Sequence, residues 1–175
     1  DANGARNDTN LSALRADDGG TLVTTTATMT IGAGFGGYFN SPTGFNTATA
    51  LFNNGVMDTF IETDNAGNGG TISFTNLTES AGATYDVYIY ISRQFGNTGP
   101  LSVTLGGVTK FIEGEDNTGP FSEANYATLA AAQAATTANP DAAGNYMLFT
   151  GLSSADLTVN FVAESATERA GINGI

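Results

Sequence analysis

Short runs of alternating apolar and polar residues dominate the chain and predict an all-β protein. The clearest run is 85–90, Tyr-Asp-Val-Tyr-Ile-Tyr, whose period of two is typical of a strand with one face in a core. Tyr88 and Tyr90 share the other face, where they are either exposed and adhesive or covered by a loop or helix. The predicted strands are 21–31, 56–63, 71–77, 84–92, 101–105, 108–113, 145–152, 157–163 and 171–175.

One stretch departs from this pattern and predicts a helix. Residues 122–138 are rich in alanine and begin with Ser122, a residue type that often caps helices. Residues 32–47 contain many glycines and aromatic rings, which favours a loop with exposed rings. The sequence therefore predicts one domain at 21–175, a two-sheet antiparallel β-sandwich of jelly-roll type with one short helix. An extended N-terminal arm at 1–20 precedes it.

Several of these segments also resemble a known group of modules. In chain order they read Thr-Asn-Leu at 75–77, Tyr-Asp-Val-Tyr-Ile-Tyr at 85–90, Leu-Gly-Gly at 105–107, Asn-Tyr-Met-Leu-Phe-Thr-Gly-Leu at 145–152 and Gly-Ile-Asn-Gly-Ile at 171–175. This order is similar to modules of large secreted proteins of environmental bacteria, which resemble the galactose-binding-like sandwich. The resemblance covers 21–175 and implies a fold and export rather than a ligand.

The composition narrows the chemistry that the chain can perform. Its 175 residues include no His, Cys or Trp, and 17 acidic residues outnumber 5 basic ones, for a net charge of −12. Nucleophile–histidine pairs, histidine-based metal sites and disulfides are therefore excluded. No basic patch is present for nucleic acid. Paired carboxylates could still hydrolyse glycosides, but no spacing indicates such a pair, and we expect a protein that is not an enzyme.

The location is predicted from the start of the chain and its hydropathy. The sequence begins at Asp1 without a methionine, which is typical of an exported protein whose signal peptide has been removed. No run approaches the roughly 20 apolar residues of a membrane span. We therefore expect an extracellular or cell-surface protein.

Two acidic turns are candidate calcium sites. Calcium prefers six to eight oxygen ligands, which flexible Asx-rich loops can supply. The alternatives are a turn that satisfies its own backbone and a solvated acidic loop. The candidate ligands are Asp64, Asn65 and Asn68 in the first turn, and Glu113, Glu115 and Asp116 in the second.

Aromatic residues in the predicted loops are candidates for stacking on sugar rings. Tyr38 and Phe39 follow two glycines, Tyr126 lies near the predicted helix, and Arg93 would donate hydrogen bonds from a facing loop. The absence of Trp weakens this interpretation. In the alternative, these rings plug the ends of the sandwich or pack against another subunit.

The sequence favours a structural role over binding. The polar arm at 1–20 could reach a neighbouring molecule, and the short strand at 172–175 could be completed by another chain through strand addition. The main prediction is thus an adhesive subunit of a self-assembling surface filament or layer, which associates through its arm and edge strands. The alternative is a carbohydrate-binding module of a secreted bacterial protein, with an extracellular glycan as its partner.

Overall fold

A computed structural model shows how these segments are arranged. It describes residues 28–32, 35–40, 59–63, 67–77, 83–91, 99–113, 122–138, 144–169, 171–172 and 174–175. The predicted arm at 1–20 lies outside these residues. The strands are β1 (Thr28–Ile31), β2 (Phe35–Asn40), β3 (Thr59–Thr63), β4 (Gly69–Thr75), β5 (Tyr85–Tyr90), β6 (Leu101–Leu105), β7 (Val108–Ile112), β8 (Tyr146–Leu152), β9 (Leu157–Ala163) and β10 (Gly171–Ile172), and the helix is α1 (Leu129–Ala138).

The first sheet has the strand order β1-β4-β9-β6-β7, and every pairing in it is antiparallel. In β4 and β9 every second residue is buried, whereas β6 is buried along most of its length. Gly106 and Gly107 form the turn between β6 and β7 with φ angles of 57° and 80°. These positive values explain the two adjacent glycines, because other residues rarely adopt them.

The second sheet is assembled from two smaller groups of strands. One group has the order β10-β3-β2 and the other pairs β5 with β8, all antiparallel. The backbone of Tyr90 joins them, because its N–H donates to Gly174 at 2.9 Å and its carbonyl accepts from Gly174 at 3.4 Å. The terminal segment therefore lies inside the sheet, between β3 and β5, and is paired on both sides by its own chain.

The core lies between the two sheets. Buried side chains of β4, β6 and β9, such as Ile72, Val103 and Phe161, face those of β5 and β8, such as Ile89 and Met147, and all of these are 0–1% exposed. The predicted two-sheet antiparallel β-sandwich with one short helix is thus confirmed. No helix in the described part of the chain has the length and hydropathy needed to cross a membrane.

Two local predictions are wrong. Within the predicted loop 32–47, Phe35–Asn40 forms the edge strand β2, whose pairing with β3 shifts register at Gly36. Such a bulge accommodates a glycine that sequence patterns assign to a loop. The helix begins at Leu129 and not at Ser122, because Thr128 is the cap: its Oγ1 accepts from the N–H of Ala131 at 3.2 Å.

The residues before the helix form a connection between the two sheets, which we call the crossing segment (122–126). At one end the segment bonds to the β8 side: the N–H of Asn145 donates to the carbonyl of Ser122 at 2.9 Å, and the N–H of Ala124 donates to the carbonyl of Tyr146 at 2.7 Å. At the other end Tyr126 O accepts from Phe111 N of β7 at 2.9 Å. The crossing segment thus covers the edges of both sheets on one side of the sandwich.

Candidate functional site

The alternation in β5 and β8 places aromatic rings on the outer side of the second sheet. Inward residues of these strands fill the core, so the intervening residues point away from it. Tyr88, Tyr90 and Tyr146 are the aromatic members of this outward set, and we call them the tyrosine face. Tyr88 is 42% exposed, and Tyr90 and Tyr146 are half-buried. Of the two predictions for Tyr88, exposure is therefore correct.

The register between the two strands brings the three rings together. Tyr90 lies directly opposite Tyr146, and Tyr88 lies opposite Leu148. The ring centroids are 6.3 Å apart for Tyr88 and Tyr90, 5.7 Å for Tyr88 and Tyr146, and 6.0 Å for Tyr90 and Tyr146. These separations lie in the range of favourable aromatic contacts. The rings form one continuous cluster of apolar faces and phenolic hydroxyls.

The crossing segment places the acidic residue Glu123 next to Tyr146 in the sheet. Glu123 forms a parallel bridge with Tyr146, so the order across the sheet is Glu123, Tyr146, Tyr90 and Gly174. Asn145 fixes this position: it is fully buried, and its Oδ1 accepts from the N–H of Ser122 at 3.0 Å. At the other end of the row Gly174 contributes no side chain.

Lys110, the single lysine of the chain, orients this carboxylate. It occupies an inward position of β7, opposite Val103, and its side chain is 13% exposed. The ammonium group donates to the carbonyl of Leu148 at 2.6 Å and to Oε1 of Glu123 at 3.3 Å, and it lies 5.3 Å from the ring centroid of Phe149. A long side chain reaches such polar partners from an apolar edge by extending its stem along the surface.

A second carboxylate lies on the opposite side of the tyrosine face. Asp86 precedes Tyr88 by two residues on β5 and is exposed. Its Oδ1 accepts from the N–H of Gly151 at 2.9 Å. Gly151 has a φ of 69°, and β8 carries its extra bulge residue at this point. The bulge turns a backbone donor toward Asp86 and so orients its side chain.

This arrangement combines flat apolar surfaces with hydrogen-bonding groups at their edges. Aromatic rings bind ligands that present an apolar face, and phenol and carboxylate groups bind hydroxyls. A polyhydroxylated ring has both features, because its C–H groups and its hydroxyls point in different directions. The tyrosine face is therefore chemically suited to a sugar.

The predicted sugar-binding residues lie elsewhere in the fold. Tyr38 and Phe39 are on β2, at the edge of the second sheet away from β8, and β3 and β10 separate them from β5. Tyr126 lies opposite Phe111 beside β7 and packs against the core. Arg93 is outside the described residues. The structure does not bring Tyr126 to the sheet edge that carries Tyr38 and Phe39.

The candidate calcium ligands are described only in part. Asn68 and Glu113 lie at the same end of the first sheet, next to Ala163 and Ile112 respectively. The strands β9 and β6 lie between them, which corresponds to a separation of about 14 Å. They therefore do not share one ion. Asp64, Asn65, Glu115 and Asp116 are outside the described residues, in which no group of three acidic side chains converges as a metal site. Calcium binding stays a prediction.

Sequence patterns did not identify the tyrosine face as a site. The alternation places Tyr88 and Tyr90 on one side of a strand, but Tyr146 and Glu123 join them only through pairing across the chain. A signal exists in the Tyr-x-x-Phe pattern at 146–149, where Tyr146 must point away from the core if Phe149 points into it. Neither Lys110 nor the crossing segment has a comparable local signal.

Comparisons with known proteins give matches among solved structures alone. No protein-family model matches the sequence, and no curated protein sequence matches it. Two crystal structures of the exo-β-1,3-galactanase Pc1,3Gal43A from Phanerochaete chrysosporium are similar in fold. The structure of the E208A variant with β-1,3-galactotriose has 15% identity and a TM-score of 0.39, and that with galactose has 14% identity and a TM-score of 0.37. Each match covers 90% of this chain and 30% of the galactanase, so the chain spans about a third of its length.

The prediction of a self-assembling filament or layer subunit is wrong. Both similar solved chains reported above are of an exo-β-1,3-galactanase, and the structure removes one physical reason for the prediction. The terminal strand was expected to be an edge for strand addition, but β10 pairs with β3 and Gly174 pairs with Tyr90 inside the same sheet. The backbones of Gly171, Ile172 and Gly174 are therefore already paired within their own chain.

Proposed function

We propose that the chain is a carbohydrate-binding module that holds a polysaccharide on the tyrosine face. The observation that carries this proposal is the cluster of Tyr88, Tyr90 and Tyr146, which lies outside the core with Tyr88 exposed. An open row of rings suits a stretch of polymer, whereas a deep pocket suits a single small ligand.

The charges near the rings support a sugar over other ligands that stack on aromatic groups. Bases of single-stranded nucleic acid also stack on such platforms, but they require a positively charged groove for the backbone. Here the exposed carboxylate of Asp86 lies two residues before Tyr88 on the same face of β5, and the only described lysine, Lys110, is paired with Glu123. The same negative charge disfavours anionic lipid surfaces. A neutral, hydroxyl-rich ligand carries no such penalty.

The proposal extends to location and catalysis. A module that binds polysaccharide would act outside the cell, as part of a secreted protein, in keeping with the export expected from the sequence. We propose that it binds without cleaving, because Asp86 and Glu123 each hold a backbone or lysine donor at the rim of an open surface. General acid catalysis instead favours a carboxyl group in a secluded environment.

The test is binding of the chain to a panel of neutral polysaccharides by affinity electrophoresis and calorimetry. The panel includes β-1,3-galactan together with β-glucan, mannan and xylan. We expect at least one of them to bind, and Tyr88→Ala to weaken that binding about tenfold, in line with the energy of one aromatic contact. Tyr88 is exposed, so the fold should persist, which circular dichroism and thermal unfolding would check.

Matched variants separate this face from the residues that the sequence suggested. Tyr38→Ala and Tyr126→Ala remove a tyrosine at other positions of the sandwich, and we expect each to change affinity less than about twofold. Loss of binding in Tyr126→Ala with full binding in Tyr88→Ala would overturn the proposed location. Absence of binding to every polysaccharide in the panel would overturn the proposed function.

A further inference from the structure

The turn before β4 ends in an asparagine that is followed by a glycine. Asn68 and Gly69 are both exposed, and no other asparagine in the described part of the chain precedes a glycine. Packing requires glycine at this position, because a Cβ on Gly69 would lie 2.9 Å from the carbonyl oxygen of Phe161 and 3.1 Å from Cγ2 of Val162. The close approach of β4 to β9 therefore keeps a residue without a side chain after Asn68.

The pairing of β4 with β9 leaves the N–H of Gly69 outside the ladder. Gly69 lies opposite Val162, and the N–H of Ala163 donates to the carbonyl of Asn68 at 2.9 Å. In an antiparallel ladder such a bond flanks a residue pair that exchanges no hydrogen bonds of its own. The pairing of β1 with β4 does not reach Gly69, and no described residue accepts from this N–H. The main-chain nitrogen of Gly69 is thus open to reaction.

Asn76, at the other end of β4, shows the opposite arrangement. It is also exposed, but it is followed by Leu77, whose N–H donates to the carbonyl of Ala155 at 2.8 Å. The side chain of Leu77 and this hydrogen bond both restrain the main-chain nitrogen. The two asparagines flank the same strand, so Asn76 is an internal reference for Asn68.

We propose that Asn68 is a site of spontaneous deamidation. The nitrogen of Gly69 attacks Cγ of Asn68 and gives its proton to a base from the solvent, and the side-chain nitrogen takes up a proton from water and leaves as ammonia. The resulting succinimide is opened by water at either carbonyl, which gives aspartate or isoaspartate. Glycine favours the first step, because no side chain hinders the approach and its backbone angles are the least restricted. This inference does not depend on the proposed function.

The two products differ in their effect on β4. Aspartate keeps the main chain and adds one negative charge. Isoaspartate leads the main chain through the former side chain, which inserts one extra atom before Gly69, and the carbonyl that accepted from Ala163 becomes a free carboxylate. Because regular spacing sets the register of β4 on β9, the isoaspartate form should expose the amide of Ala163. The tyrosine face lies on the other sheet, and its polysaccharide binding should not change.

The experiment incubates the intact folded chain in mildly alkaline buffer and follows each asparagine by peptide mass spectrometry, after digestion at acidic pH. Deamidation appears as the mass change of an amide group replaced by a hydroxyl group. We expect Asn68 to react at least about tenfold faster than Asn76, since a hydrogen-bonded N–H must be released before it can react. The other Asn-Gly pairs of the sequence, at 54–55 and 173–174, are quantified separately.

The same incubation in urea separates the effect of the fold from that of the sequence. Unfolding frees the N–H of Leu77, so Asn76 should react about tenfold faster in urea than in the folded chain. Asn68 should change by less than about threefold, because its neighbour is already open in the fold. Asn68→Gln is the matched variant. It keeps the amide but lengthens the side chain, and it should abolish the product at this position.

The outcomes are distinguishable from those of the polysaccharide experiment. Equal rates at Asn68 and Asn76 in the folded chain would overturn the inference, and so would a rate at Asn68 that rises tenfold or more in urea. Fast reaction at Asn68 in both states, together with faster hydrogen exchange at Ala163 in the isoaspartate form, would support it. Neither result bears on whether the tyrosine face binds a polysaccharide.

Discussion

The outer faces of the two sheets obey the same alternation but display different side chains. On the first sheet the outward positions carry short hydroxyl residues, several of which hydrogen-bond across strands: Ser73 with Thr158 at 3.2 Å, and Thr104 with Thr109 at 2.8 Å. On the second sheet the outward positions of β5 and β8 carry the tyrosine face. Both faces satisfy the strand preference for β-branched or aromatic residues.

The difference shows that the outward side chains decide whether the surface of a sheet is suited to bind a ligand. Two pairs of hydroxyls on the first face already hydrogen-bond to each other, and these short side chains offer no flat apolar surface on which a ligand could stack. The phenol rings of the second face present area that water covers poorly. Short hydroxyl residues and tyrosines both stabilise a strand, so stability alone does not require tyrosines here. The tyrosine face is therefore the better candidate for binding.

The largest effect is expected from a substitution that disturbs the crossing segment, which supports the tyrosine face. Gly144 has a φ of 96°, and a Cβ there would lie 2.5 Å from the backbone N and 2.7 Å from the Cα of Ala124. Gly144→Ala therefore combines a disfavoured backbone with a clash against the crossing segment, and we expect a loss of about 3 kcal/mol in the free energy of unfolding. Urea denaturation would measure it.

The control for this prediction is a glycine that lacks the clash. Gly107 has a φ of 80°, and nothing lies within 4 Å of its Cβ position. Gly107→Ala should cost about 1 kcal/mol, from the backbone alone. Equal losses in the two variants would contradict the claim that close packing of the crossing segment supports Glu123 and the tyrosine face.

A smaller effect is expected when the two faces are compared directly. Double-mutant cycles would measure the coupling energy of one cross-strand residue pair from each face. Tyr90 lies opposite Tyr146, and Ser73 lies opposite Thr158. With alanine substitutions we expect a coupling energy of about 1 kcal/mol for the tyrosines and about 0.3 kcal/mol for the hydroxyls. Thermal or urea unfolding of the single and double variants gives both values. A larger coupling in the hydroxyl pair would reverse the comparison.

The smallest effect concerns a tyrosine outside the tyrosine face. Burial, followed by the charge of Asp156, raises the pKa of Tyr85, whose hydroxyl donates to Ser154 O at 2.6 Å. A raised folded pKa means that this stability is complete below the unfolded pKa of about 10 and is lost as pH rises through the folded value. The Tyr85→Phe variant should not show this part of the decrease in unfolding free energy at alkaline pH. Unfolding of both proteins across pH 9–12 would measure it, and identical pH slopes would contradict it.

Local patterns predicted much of the fold because most strands have one face in the core. The predicted bounds of β6 and β9 agree with the structure, since every second residue of these strands is apolar. β2 gave no such signal, because Gly36 and Gly37 interrupt it and pairing with β3 tolerates a bulge. Residues 122–128 have a helical composition that hydrogen bonds to Asn145, Tyr146 and Phe111 override.

The candidate site was less predictable because it depends on contacts between distant parts of the chain. Tyr88 and Tyr90 can be placed on one side of a strand from the sequence, but which strand lies beside them cannot. Glu123 reaches the face through the crossing segment, and Lys110 reaches Glu123 from the other sheet. Register and sheet order, which create these neighbours, are set by the packing of the whole domain.

The position of β10 has a consequence for the synthesis of the protein. This strand comes last in the described chain but lies between β3 and β5, which are made much earlier. Until residues 171–174 leave the ribosome, β3 and β5 have no strand to join them, and their facing backbones stay open. The two groups of strands in the second sheet can therefore join only after this segment is translated, and a ribosome that stalls before it would expose unpaired strand edges to aggregation.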